Sequence, residues 1–101
     1  MDLDETRTLL ALAEEGSVSG AAERMGVSRA TVRRRLAALE ARVGVSLARS
    51  TEAGVELTAA GELYARHAAA PVRELEAIGQ LAERAGQDPA GTLDVALPVG
   101  A

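Results

Sequence analysis

Residues 17–40, SVSGAAERMGVSRATVRRRLAALE, decide the fold, because they set two short helical stretches around a tight turn and load the second with arginine. Ser28 follows apolar Val27 and can cap the free N–H groups of a first helical turn, which marks where the second stretch begins. Gly26 supplies the turn, since a chain passing steeply from one helix into another often needs positive φ, which glycine tolerates. On a helix beginning near Arg29, the residues Val32, Leu36, Leu39 and Val43 fall on one stripe and should face a core. Ala30, Arg33, Arg34, Ala37 and Ala41 then point away from it, with Thr31 and Ala38 on a flank. Small residues beside two guanidinium groups suit a helix laid into a groove about 12 Å wide, where bulky side chains would block approach. The pattern over about 18–42 is that of a helix-turn-helix reading duplex DNA. A solvated basic face on an ordinary surface helix is the bland alternative; the capped turn directly before the arginine run favours DNA.

Composition bounds the rest. The chain has 101 residues, enough for one small domain and an appended helix, and its single aromatic residue, Tyr64, leaves a core of Leu, Val, Ala and Met. Pairing with a second copy would help so modest a core. There is no cysteine, which removes disulfides and thiolate metal sites. The acidic start MDLDETRT lacks the order of a secretory signal, and no apolar run approaches the roughly 20 residues of a spanning helix, so a soluble, cytoplasmic protein without a membrane partner is expected. A net charge of −4 at first opposes a nucleic-acid partner. Its distribution reverses that, because seven of the eleven basic residues lie between Arg24 and Arg49, on an otherwise acidic body.

Along the chain, a first helix is expected from about Asp4 to Glu15, ended by Gly16, with Leu3, Leu9, Leu10 and Ala13 on its buried side. Ser17 and Ser19 are candidate caps for a short second helix whose Ala21 and Ala22 permit a close crossing, and Val18, Ala22 and Met25 should meet the third. Val45-Ser46-Leu47 and Val55-Glu56-Leu57 alternate like two short strands, with 50–54 as the hairpin tip, giving a wing over about 45–57. Thr58 then caps a long helix over 59–87, in which Tyr64, Ala68, Pro71, Leu75, Ile78, Ala82 and Ala85 alternate spacings of four and three. Such a seam predicts a homodimer, with Tyr64, Ala68, Leu75, Ile78 and Ala82 as its contacts, and a kink between His67 and Pro71. The other possibility is a helix that packs only on its own domain. Residues 88–101 open with a turn-rich break, after which Leu93 to Leu97 alternate like the first strand of a further domain. The expected fold class is therefore mainly α, a winged helix-turn-helix of three helices and a two-stranded wing over 1–58, followed by a long linker helix.

The stretch AEEGSVSGAAERMGVSRATVRRRLAALEARVGVSL, followed by GVELTAAG, resembles the N-terminal region of LysR-type transcriptional regulators. The likeness lies in the Ala-Ala helix, the V-S start of the recognition helix, L-E-x-x-[LV]-G-V-x-L after it, and L-T-x-A-G opening the linker helix. It implies a dimeric or tetrameric bacterial regulator whose larger C-terminal domain binds a small-molecule effector, with no cofactor in this part of the chain. It also implies base-edge contacts at Arg29, Ala30, Arg33 and Arg34, Ser28 at the helix start, and Thr31 near a phosphate or thymine methyl. In the wing it implies contacts at Ser50, Thr51 and Ala53. The chain departs from the family at Arg29-Ala30, where Gln-Pro is common, and at Ser50 and Ala53, where wing arginines are typical, with Glu52 between them. Arginine favours guanine O6 and N7, so a G-containing half-site is expected.

Two other classes fit less well. An enzyme would need a base, nucleophile or metal set, yet the only histidine is His67, on the linker helix. A winged-helix module for protein contacts or RNA would not call for outward arginines at the start of the third helix, and single-stranded RNA binding favours exposed aromatics.

Overall fold

A computed structural model of the chain describes residues 2–87, in the order α1 (Leu3–Glu15), α2 (Val18–Met25), α3 (Arg29–Val43), β1 (Ala48–Thr51), β2 (Gly54–Leu57) and α4 (Ala59–Gln87). This is the winged helix-turn-helix with an appended long helix that the sequence predicts. The break and strand expected over 88–101 lie outside the described residues.

Side-chain caps set where each helix begins. Asp2 accepts the Asp4 N–H at 2.8 Å, Ser17 the Gly20 N–H at 2.9 Å, Ser28 the Thr31 N–H at 3.1 Å and Thr58 the Gly61 N–H at 3.0 Å. Between α2 and α3, Gly26 stands at φ 69°, and the N–H groups of Gly26 and Val27 return to the carbonyls of Glu23 and Ala22 at 3.2 and 3.0 Å. That closes α2 and turns the chain directly into Ser28.

Two apolar clusters meet at Leu36. Ala11, Leu12, Ala21, Ala22 and Val32 form one, with Val18, Met25, Val27 and Val55 against it. Leu9, Leu39 and Leu47 form the other, with Leu57, Ala60 and Tyr64 against it. Ala21 and Ala22 are buried, so α2 lies close to its neighbours as their size predicts. On α1 the expected stripe is wrong in part: Thr8, Leu9, Ala11 and Leu12 are buried, Leu3 and Leu10 are half-buried, and Ala13 is exposed. The reason is that α1 is the central helix, packed against α2, α3 and α4 at once, so its buried surface is wider than one stripe. Val43, expected in the core, is exposed, because it closes the last turn of α3 beyond the packed region.

The wing is a two-stranded antiparallel sheet with register Ala48↔Leu57, Arg49↔Glu56, Ser50↔Val55 and Thr51↔Gly54. Val45–Leu47 is not a strand. Leu47 turns into the core, and its N–H bonds to the Glu40 side chain at 2.7 Å instead of a partner strand. The tip accordingly shrinks to Glu52 and Ala53. Val55 N–H donates to the Gly16 carbonyl at 2.9 Å, fastening the wing to the α1–α2 corner.

Helix α4 runs unbroken through Pro71, and the proline is exposed. Its first half lies on α1. Tyr64 and Ala68 are half-buried, Val72 is buried, and the Tyr64 hydroxyl shares a 2.9 Å hydrogen bond with Thr6 Oγ1. Tyr64 therefore packs against the domain's own second cluster. Gly61 makes this approach possible, since a Cβ there would stand 1.9 Å from the Leu47 carbonyl oxygen.

Candidate nucleic-acid interface

The outward side of α3 is built as its spacing predicts. Arg29, Ala30, Arg33, Arg34, Ala37 and Ala41 are exposed, while Thr31 and Ala38 are half-buried on the flank. Ser28 does double work at the helix start: its Oγ accepts the Thr31 N–H and donates to Thr31 Oγ1 at 2.9 Å. That leaves the Thr31 hydroxyl hydrogen to be offered elsewhere, and it fixes the first turn from which Arg29 and Ala30 project.

Three helical arginines outside the outward α3 face are paired with carboxylates. Arg7 pairs with Asp4 at 3.3 Å and Glu76 at 3.0 Å, Arg42 with Glu5 at 2.9 Å, and Arg24 with Glu14 and Glu15. Hydrogen bonding and charge from Glu14 raise the Arg24 pKa above the ordinary guanidinium value, and Glu5 does the same for Arg42. Among the described residues, no ion pair involves Arg29, Arg33 or Arg34. Arg7, Arg24 and Arg42 are tied to carboxylates of the body, whereas the guanidinium groups of the outward α3 face stand together and are left to meet an external anion. Arg35 is half-buried and turns the other way, towards a groove shared with Arg24 and Arg73.

The wing is electrostatically different. Ser50, Thr51 and Ala53 are exposed, as expected of contact residues, but the tip carries exposed Glu52. Its one arginine, Arg49, bonds across the strands to Glu56 at 2.9 Å.

Behind the interface stand residues the sequence reading passed over. The Glu40 carboxylate, on the same helix as the arginines, accepts the N–H groups of Leu47 at 2.7 Å and Ala48 at 3.3 Å and the Ser46 hydroxyl at 3.4 Å. Its signal in the sequence is thin, a single acid ahead of a loop that has no capping side chain of its own. Thr58 closes the same junction, with its N–H on the Leu47 carbonyl at 3.0 Å and its hydroxyl on the Ser46 carbonyl at 2.8 Å. Glu5, buried, anchors Arg42 and so ties the end of α3 to the start of α1.

Of the expected dimer contacts, Leu75 and Ile78 are 53% and 56% exposed, and Ala82 is exposed as well. Leu75 borders an apolar groove of about 560 Å³, whose walls include Leu3, Val43, Leu63 and Pro71. His67 lines the same groove. Among the described residues no three His, Cys, Asp or Glu side chains are grouped to hold a metal ion, and no helix is long and apolar enough to cross a membrane.

Comparison with known proteins agrees with this geometry. Residues 3–62 match the family model described as bacterial regulatory helix-turn-helix protein, lysR family. The HTH-type transcriptional regulator TcbR of Pseudomonas sp. (strain P51) is 36% identical over 99 residues, covering 95% of this chain and 33% of that protein. The crystal structure of the CbnR DBD–DNA complex superimposes with a TM-score of 0.69 at 36% identity, covering 86% of this chain and 97% of that one. Full-length LysG from Corynebacterium glutamicum, with bound effector Arg, gives a TM-score of 0.70 at 33% identity over 88% of this chain and 31% of that one. The chain spans about a third or less of the length of curated relatives such as TcbR, at 33%, and the Mycobacterium tuberculosis regulator Rv2282c, at 19%.

Proposed function

Since this chain belongs to the lysR family of bacterial regulatory helix-turn-helix proteins, a family of transcriptional regulators, we propose that it binds duplex DNA sequence-specifically, with α3 in the major groove. The observation that carries this is the set of exposed guanidinium groups, Arg29, Arg33 and Arg34, in no ion pair among the described residues and on a face otherwise lined by small alanines. Small residues let the helix backbone sink into the groove, and arginine can then donate in bidentate fashion to guanine O6 and N7. Ala30 and Thr31 add contact to a thymine methyl or a phosphate, and Ser28 acts by holding the first turn. In the wing, Ser50, Thr51 and Ala53 lie against the backbone of the duplex. The CbnR complex supports the reading, because its DNA-bound domain is covered almost completely by this chain.

The protein works as a homodimer through α4. Leu75, Ile78 and Ala82 supply the contact, with the apolar groove beside Leu63 and Pro71, whereas Tyr64 and Ala68 contribute mainly to the fold of their own subunit. Two copies then read two half-sites separated by whole turns of the duplex. In a chain as long as TcbR or LysG, the small-molecule effector binds outside residues 1–101, and the regulator acts in the cytoplasm. Selection from a randomised duplex library tests the central reading: enrichment of a G-containing, roughly palindromic site is expected. Equal affinity for any duplex, or preference for single-stranded RNA, would overturn it.

A further inference from the structure

We infer that the wing of this regulator restrains its own hold on DNA: Glu56 keeps Arg49 from the phosphate backbone and so limits affinity. The inference rests on the duplex-binding reading above.

Arg49 and Glu56 stand directly opposite in the register of the hairpin, with Nε and Oε1 2.9 Å apart. Alternation along the two strands puts Val55 and Leu57 on the face that packs against the body, and Arg49 and Glu56 on the other. Both side chains are more than half exposed, at 58% and 55%, so the pair fills no part of the core. Across 48–57 Arg49 is the only cation, against Glu52 and Glu56, which leaves the wing with a net negative charge. Arg42, held by buried Glu5, by contrast joins two helices. The Arg49–Glu56 pair joins only neighbouring strands already linked by their backbone ladder.

An exposed pair of this kind contributes at most about 1 kcal/mol. A phosphate oxygen can therefore compete for Arg49, but winning it strands the Glu56 carboxylate beside a polyanion, and Glu52 adds a second repulsive charge at the tip. The contact that a free wing arginine would make is withheld. Discrimination between sequences falls to α3, since a phosphate contact raises affinity for every sequence alike.

The test uses the chain of residues 1–101, the duplex that the wild type enriches from a randomised library, and a scrambled duplex. Affinity is measured over a salt series for wild type, Glu56→Gln, Arg49→Gln and the double variant, with melting curves to show that each is folded. Glu56→Gln should bind both duplexes about fivefold more tightly. Its slope of log affinity against log salt should steepen by about 0.9 for each wing engaged, the signature of one more neutralised phosphate. In the Arg49→Gln background the same substitution should leave the slope unchanged. An unchanged slope in Glu56→Gln, or an equal change with and without Arg49, would overturn the inference while leaving specific binding by the wild type intact. A wild type that enriches no duplex would remove the DNA reading and this inference together.

Discussion

The Glu40 carboxylate receives the Leu47 N–H at 2.7 Å, so α3 itself caps the loop that leads into the wing. The Ala48 N–H shares the same oxygen at 3.3 Å. Glu40→Ala should leave both donors without this partner and lower stability by roughly 2 kcal/mol, the cost of an unsatisfied, partly buried amide. Glu40→Gln keeps an acceptor and should cost less. Urea denaturation of the two variants checks the order; equal losses would mean that the acceptor is not what stabilises the junction.

Gly61→Ala should be more damaging than its size suggests. The added methyl would sit 1.9 Å from the Leu47 carbonyl oxygen, and that oxygen belongs to backbone already held by Thr58. Something rigid must move, and the expected loss is roughly 3 kcal/mol, the upper end of ordinary overpacking. A thermal melt equal to wild type would show that α4 does not approach the wing junction this closely.

Arg34→Ala should lower affinity for the selected duplex by roughly 1–3 kcal/mol and relax preference at one base pair, as expected on losing a bidentate contact to guanine. Stability should hardly change, because the side chain is exposed and belongs to no ion pair among the described residues. Repeating the library selection with the variant decides it. An unaltered sequence preference would assign Arg34 to phosphate and not to a base.

Leu75→Glu together with Ile78→Glu should give monomers. Both side chains are exposed in the single chain, so the isolated subunit tolerates the change, whereas an α4 contact would have to bury two like charges. Specific affinity should fall steeply as the two half-sites cease to be bound as one linked event. Light scattering reads the outcome. A dimeric double variant would move the contact off this face, and a monomeric wild type would remove the two-half-site arrangement.

Local chemistry was legible in the sequence, and multi-sided packing was not. Ser28, Gly26 and Thr58 act at the positions their residue types predict, because a cap or a left-handed turn depends on a handful of neighbouring atoms. The outward face of α3 followed from helical spacing in the same way. Spacing fails where a helix is touched from several directions: α1 buries Ala11 and Thr8 because three helices surround it. Tyr64 sits on a heptad seam and still turns into its own domain, since Thr6 offers its hydroxyl a partner and Leu9, Leu39 and Leu47 offer its ring a floor. The first wing strand begins later than alternation suggests, because Glu40 and the core both claim Leu47. Most of these partners are distant in sequence, Thr6 and Tyr64 by 58 residues.

One residue therefore governs the bearing of the longest element among the described residues. Leu47 is gripped by α3 through Glu40, by the start of α4 through Thr58, and is grazed by the bare backbone of Gly61. From that point α4 extends for 29 residues, an arm of roughly 43 Å at ~1.5 Å per residue. Tyr64 and Val72 fasten its near half, while Leu75, Ile78 and Ala82 ride on the far half. A small offset where Gly61 meets Leu47 is magnified along the arm, like an error of aim at the pivot of a long pointer. The hydrogen atom that serves as the glycine side chain thus sets how accurately the outer end of α4 is placed relative to the arginines of α3.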